Sequence, residues 1–363
     1  MHHPKVALLA SLLLPLLAAL FLRAAVAKAA PAQSCAWHAL PAPNPSGNDQ
    51  LNAIAATSAT SAWIVGSYYT SSNDVQTLIE HWNGTQWSIV TSPNATEYDE
   101  LNAVTALSAT DAWAVGVAYS STNATPLTEH WNGTQWSIVS TPSLGNGNGS
   151  LDGVSAVASN DVWAVGGQLI LHWNGTSWQL VKSPPPPAGD YYQLKAVAAV
   201  SASSVWAVGE LDSSQGFGTW IEHWNGTSWS VVTSPTLSSS YLQAVAASSA
   251  NDVWAVGGSS AQTLIEHWNG TRWSVVASPT SGELEGVAVF SATDAWTVGW
   301  YGDFKTLTEH WNGTSWSVVT SPNPGAYDRL SGVAVVPGSN QVWAEGIQVA
   351  PTGNYQTLTE LYC

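Results

Sequence analysis

One eight-residue phrase dominates the chain and limits what it can fold into. Glu80-His81-Trp82-Asn83-Gly84-Thr85-Gln86-Trp87 returns at 129–136, 222–229, 266–273 and 309–316, and at 171–178 with Leu171 in place of the glutamate. A second phrase, Ala62-Trp63-Ile64-Val65-Gly66, precedes it. It recurs at 112–116, 162–166, 205–209, 253–257, 295–299 and 342–346, so seven copies stand 42–50 residues apart. Single cores stop growing above roughly 250–300 residues. A chain of 363 residues written this way therefore repeats a small unit.

Each unit carries four strand signals. In the second copy they are residues 101–107, 112–117, 127–131 and 135–139, the last three rich in Trp, Val, Ile and Thr. Asn-Gly between the third and fourth predicts a tight type I′ hairpin with positive φ at both turn residues. Ser-Ala-Thr-Asp, or a close variant, between the first and second predicts a turn whose side chains bond their own backbone. Seven such units predict an all-β fold, a seven-bladed β-propeller of four-stranded antiparallel blades. The first strand is expected innermost, because Ala53, Ala55, Ala103, Ala196, Ala198, Ala244 and Ala246 are small. The tryptophans are expected to pack blade on blade, each removing roughly 150–250 Å² from water.

The two ends are out of phase with the repeat. Cys35-Ala36-Trp37-His38-Ala39-Leu40 matches the fourth strand, 85–90, and Thr357 to Cys363 matches the third, 77–83. The seventh blade is thus expected to join three C-terminal strands to one N-terminal strand. The Asn-Gly link is missing there, and Cys35 and Cys363 flank the gap, so a disulfide between them is expected to replace the turn.

Residues 1–30 read as a secretory signal: a basic start, an apolar run from Val6 to Leu22, and small-x-small sites at 25–27 and 27–29. The propeller then occupies 31–363. A secreted, extracellular protein is expected, touching a membrane only through an uncleaved leader. Export makes a disulfide chemically available. Beyond residue 30 stand five basic residues (Lys182, Lys195, Arg272, Lys305, Arg329) and all 24 acidic ones, a net charge of 5 − 24 = −19. Such a chain repels phosphate backbones, which excludes nucleic acid as a partner.

In its blade plan and end-to-end closure the repeat resembles WD40- and kelch-type propellers, without the Gly-His…Trp-Asp signature or the kelch double glycine. The phrase Glu-His-Trp-Asn-Gly-Thr-Ser-Trp-Ser-Val-Val is similar to Trp-rich propeller repeats of secreted bacterial proteins. The resemblance covers residues 35–363 and implies a fold; it transfers no catalytic residue.

Function is expected where the copies disagree. The second-to-third and fourth-to-first connections vary, share one face, and hold ten of the eleven tyrosines. The candidate ligand-binding residues are Tyr68, Tyr98, Tyr119, Tyr191, Tyr192, Tyr241, Trp300, Tyr301, Asp303, Tyr327, Asp328 and Tyr355. Amphipathic rings beside hydrogen-bonding acids suit a sugar or a protein surface. The leading expectation is a non-enzymatic, monomeric module that binds polysaccharide as a lectin does. A protein-interaction scaffold of the cell envelope is the second. A glycoside hydrolase or lyase with a loop carboxylate pair is the third; such a pair must stand about 5–10 Å apart. No cofactor is called for.

The recurrent histidines (81, 130, 172, 223, 267, 310) do not suggest a metal. Each lies on a different blade, and zinc needs several ligands at about 2 Å. A structural hydrogen bond to the neighbouring Glu or turn Asp is expected instead. The six Asn-Gly-Thr copies, with Asn94, Asn123 and Asn148, are formal glycosylation sequons, but turn chemistry already accounts for the six.

Overall fold

A computed structural model describes Met1 and residues 35–144, 149–235, 237–260 and 262–363. The leader expected at 1–30 and the sequon at Asn148 lie outside the described residues, Met1 apart. The described chain is all-β, built from repeated four-stranded antiparallel sheets.

The chain enters on β1 (Trp37–Leu40). The first unit is β2 (Asp49–Ser58), β3 (Ser61–Tyr69), β4 (Val75–Trp82) and β5 (Trp87–Ile89). The second is β6 (Tyr98–Ser108), β7 (Asp111–Tyr119), β8 (Ala124–Trp131) and β9 (Trp136–Ile138). The third is β10 (Gly153–Ala158), β11 (Asp161–Gly166), β12 (Leu169–Trp173) and β13 (Trp178–Leu180). The fourth is β14 (Tyr191–Ser201), β15 (Ser204–Ser213), β16 (Gly216–Trp224) and β17 (Trp229–Val231). The fifth is β18 (Ser240–Ser249), β19 (Asp252–Ser259), β20 (Gln262–Trp268) and β21 (Trp273–Val275). The sixth is β22 (Glu283–Ser291), β23 (Asp294–Tyr301), β24 (Lys305–Trp311) and β25 (Trp316–Val318). The last three strands are β26 (Asp328–Val335), β27 (Val342–Val349) and β28 (Tyr355–Tyr362).

Hydrogen bonding groups these strands into six sheets. The first two units share one sheet through a single parallel pair, Val75 with Tyr98. The last three strands recruit β1, in the order β1-β28-β27-β26, with Trp37 opposite Tyr362. Cys35 and Cys363 form a disulfide beside this seam, their Cα atoms 4.7 Å apart. Each unit's first strand packs on the first strands of its neighbours, and β26 packs on β2.

Tryptophan joins unit to unit. Trp63 of β3 lies 4.9 Å from Trp131 and 5.2 Å from Trp136 of the following unit, edge to face with the latter. The arrangement recurs, and Trp343 of β27 meets Trp82 and Trp87 of the first unit at 5.0 and 5.1 Å. Each repeated histidine packs on its own unit's second-strand Trp, as His81 does on Trp63 at 4.3 Å. Its Nε2 bonds the residue that opens the second strand: Asp111 with His130 at 2.9 Å, Ser61 with His81 at 3.1 Å. The partner is thus the turn Asp, or Ser in its place, rather than the neighbouring glutamate.

The Asn-Gly turns differ from expectation. Only the glycine has positive φ, 94° at Gly84. Four residues separate Trp82 from Trp87, too many for a two-residue type I′ turn. Asn83 Oδ1 instead accepts from the Thr85 N–H, the Thr85 hydroxyl and the Gln86 N–H, at 3.0, 2.8 and 3.0 Å.

A second glycine sets the geometry of the inner strands. A Cβ on Gly66 would lie 1.9 Å from the carbonyl oxygen of Gln50, and the equivalent glycine of every unit has the same conflict. There the first strand bulges, between Leu51 and Ala53 in the first unit. The glycine admits the close backbone approach, and the bulge re-aims the residues before it.

Candidate functional site

The residue whose carbonyl sits over that glycine varies among the units: Gln50, Glu100, Ser150, Gln193, Tyr241, Glu283 and Arg329. Two of these, Gln50 and Arg329, line a cleft of about 340 Å³ with Phe304, Tyr327, Asp328, Ile347, Val349, Gly353 and Tyr355. Its walls are the second-to-third connections of the sixth and last units and the connection into β26.

Backbone bonds tie these walls together. The Asp328 N–H donates to the Phe304 carbonyl at 2.9 Å, and the Val349 N–H to that of Tyr327 at 2.8 Å. The Tyr355 N–H reaches Asn48 Oδ1 of the first unit at 3.4 Å. Phe304 holds φ at 54°, a left-handed conformation that aromatic residues seldom adopt. Its ring stacks on Trp300 at 4.7 Å and leans on Tyr327 at 5.0 Å. Tyr327, Tyr355 and Phe304 remain 51%, 42% and 38% exposed, so their outer surfaces are free for a ligand.

Trp300 also walls a second cleft of about 300 Å³, with Tyr241, Gly258 and Glu283. The Tyr241 hydroxyl bonds Glu283; burial, then Glu283, Glu285 and Glu210, hold its phenol far above the ordinary range. Burial raises Glu285 and Glu283 adds to the shift, while Arg329 and the Trp300 indole N–H oppose it. Trp300, Phe304 and Tyr327 thus form a ridge between two clefts. Glu283 stands in the second cleft and Arg329 in the first, and Arg329 lies near enough to Glu285 to interact with it by charge.

Beside Arg329 the core itself changes. The second-strand residue before the conserved glycine is a fully buried valine in six units (65, 115, 165, 208, 256, 298). In β27 it is Glu345, also 0% exposed. Burial pushes its carboxyl up to about 8, with Arg329 opposing and Glu80 adding. Gly332 stands opposite it in register, and a Cβ there would meet Glu345 Oε1 at 2.4 Å. Among the described residues no protein group hydrogen-bonds either Glu345 oxygen or Arg329 Nε. The two side chains interact by charge alone.

The structure gathers some of the sequence candidates and scatters the rest. Tyr327, Asp328 and Tyr355 line the first cleft, Tyr241 and Trp300 the second. Tyr301 and Asp303 are exposed on the turn beside Phe304. Tyr68 lines a separate open depression in the first unit, its hydroxyl donating to Gln76 at 3.0 Å. Tyr98 and Tyr119 pair across β6 and β7, both exposed, and Tyr191 is exposed on the fourth unit.

Two candidates are buried. Tyr192 is 3% exposed, stacks on Trp220 at 5.0 Å and donates to Ser183 at 2.6 Å, which makes it a core residue. Asp328 is fully buried and accepts from the Gly325 N–H at 2.9 Å, so it staples the loop into β26 as Asp49 does into β2. Sequence reasoning missed Arg329 and Glu345. Alignment of the seven copies carries the signal: Glu345 is a charge where every other copy has valine.

The chain matches no protein-family model and no curated protein. Among solved structures it is similar to "YCF48 bound to D1 peptide", at 15% identity and a TM-score of 0.60, covering 90% of this chain and 96% of that one. It is similar to "YCF48 from Cyanidioschyzon merolae", at 15% identity and TM-score 0.59, covering 90% and 98%. It is also similar to "Structure of U3-55K", at 9% identity and TM-score 0.59, again covering 90% and 98%. At such identities the likeness shows the fold alone, a propeller-like arrangement of four-stranded sheets.

Proposed function

We propose that residues 35–363 form a seven-bladed propeller whose last blade is closed by β1, and that it is a secreted, non-enzymatic module binding polysaccharide in the cleft between its sixth, last and first units. The ring is supported by the run of inner-strand contacts from β2 round to β26, and by the disulfide at the seam. Export is supported by the leader signal at 1–30 and the disulfide it permits.

The observation that carries the binding reading is the set of exposed rings, Phe304, Tyr327 and Tyr355, around one concave site with Gln50 and Arg329. Sugar rings present C–H faces that lie on aromatic planes, and hydroxyls that pair with such polar groups. A glycan array tests it. Binding of linear polysaccharide fragments is expected; an array with no binder removes the reading. A protein-interaction platform is the second reading, favoured by the likeness to a propeller solved with a bound peptide.

A further inference from the structure

The seven units act as internal controls for one another, and they isolate one anomaly. Six fill the second-strand core position with valine, so the fold does not require a carboxylate there. Burying an unpaired carboxylate is destabilising, and nothing in the unit's packing offsets it. The departure sits beside Arg329, which lines the aromatic cleft, and faces Gly332, which leaves it room. Arg329 is also the one cation among the seven residues whose carbonyls sit over the second-strand glycines.

A second cation stands near. Lys305 Nζ lies 3.9 Å from Asp328 Oδ2, next to Phe304 in sequence. Two of the five basic residues beyond residue 30 therefore flank one cleft, in a segment with 24 acids. Asp328 already accepts two bonds from the Gly325 N–H, which keeps its charge engaged with backbone. The ring-walled cleft thus holds two cations on an acidic molecule, Lys305 facing Asp328 and Arg329 facing Glu285 and Glu345.

Resting on the polysaccharide reading, we infer that Glu345 positions the Arg329 guanidinium to receive a sugar carboxylate, so that the polymer recognised is a uronate-containing polysaccharide. Arg329 is the contact residue; Glu345 acts through it from inside the blade, by the charge it carries above about pH 8. A planar guanidinium meets a carboxylate with paired N–H donors, which a neutral sugar cannot match.

Titration calorimetry of the full chain at about pH 9, where Glu345 is ionised, with a linear galacturonate tetramer and the matching neutral galactose tetramer tests this. The wild type is expected to bind the acidic tetramer at least tenfold more tightly, and Arg329→Gln to abolish the difference. Glu345→Val restores what the other six units carry. It is expected to raise the Tm while weakening acidic-tetramer binding about tenfold, an opposition that a purely structural role does not produce. Glu345→Gln, which keeps the shape, should weaken binding likewise.

Unchanged affinity in both Glu345 variants, or a joint fall of Tm and affinity in Glu345→Val, overturns the positioning role. Equal binding of the two tetramers, or binding of the neutral one alone, overturns the uronate assignment and leaves the polysaccharide reading standing. If an Asp/Glu-rich peptide binds and neither tetramer does, or if nothing binds, both fall.

Discussion

The buried glutamates show how one residue choice, repeated, sets a property of the molecule. Glu80, Glu129, Glu222, Glu266, Glu309 and Glu360 occupy the same third-strand position and are all 0% exposed. The fourth-strand residue paired with each, such as Ile89 with Glu80, lies on the same sheet face and covers it. Some receive a serine from the preceding connection, as Glu309 does from Ser278 at 2.8 Å. Burial pushes Glu80, Glu129, Glu266 and Glu360 up to about 8 and Glu309 to about 7. A carboxyl raised in the folded state stabilises fully below its unfolded value of 4.5, and that stability is lost as pH rises toward 8. His81 and His223, lowered by burial, act oppositely below about 6.5. The carboxyls outnumber them, so the Tm at pH 5.5 should exceed that at pH 8. Glu266→Leu, which copies Leu171, should raise the Tm at pH 8 and flatten the slope. A Tm that rises toward pH 8 contradicts this reading.

At the scale of the strand, the glycine that closes the second phrase does the most. Its Cβ-free face lets the inner strand bulge, and so fixes where residues such as Gln50 and Arg329 stand. Gly257→Ala would drive a methyl to 2.1 Å from the Tyr241 carbonyl. A loss of about 3 kcal/mol is expected, at the upper end for overpacking, read as a lower urea midpoint with unchanged slope. The four strands per unit were legible because turn residues and β-formers alternate so regularly. The bulge was not, because it resets the period of two on which strand reading depends. The Asn-Gly turn was misread for a related reason: a dipeptide signal says nothing of the two loop residues that follow it.

For the whole molecule, the phase of the repeat at the two ends made the pairing of β1 with β28 and the Cys35–Cys363 bond legible. Replacing both cysteines by serine should lower stability by roughly 2–5 kcal/mol, measured by denaturant melts, with the β-sheet circular dichroism retained. What the copies could not reveal is which loops converge. Tyr327 and Tyr355 are 28 residues apart and Asn48 is some three hundred residues from Tyr355, yet all meet because the last unit borrows its outer strand from the start. Tyr119 and Tyr191, alike in sequence context, stand on other units. The separation gives the most direct measurement: the affinity of the best array glycan for Tyr327→Ala/Tyr355→Ala and for Tyr119→Ala/Tyr191→Ala. The first pair should lose tenfold or more and the second stay within twofold; equal losses, or a loss confined to the second pair, would contradict a binding site in the cleft.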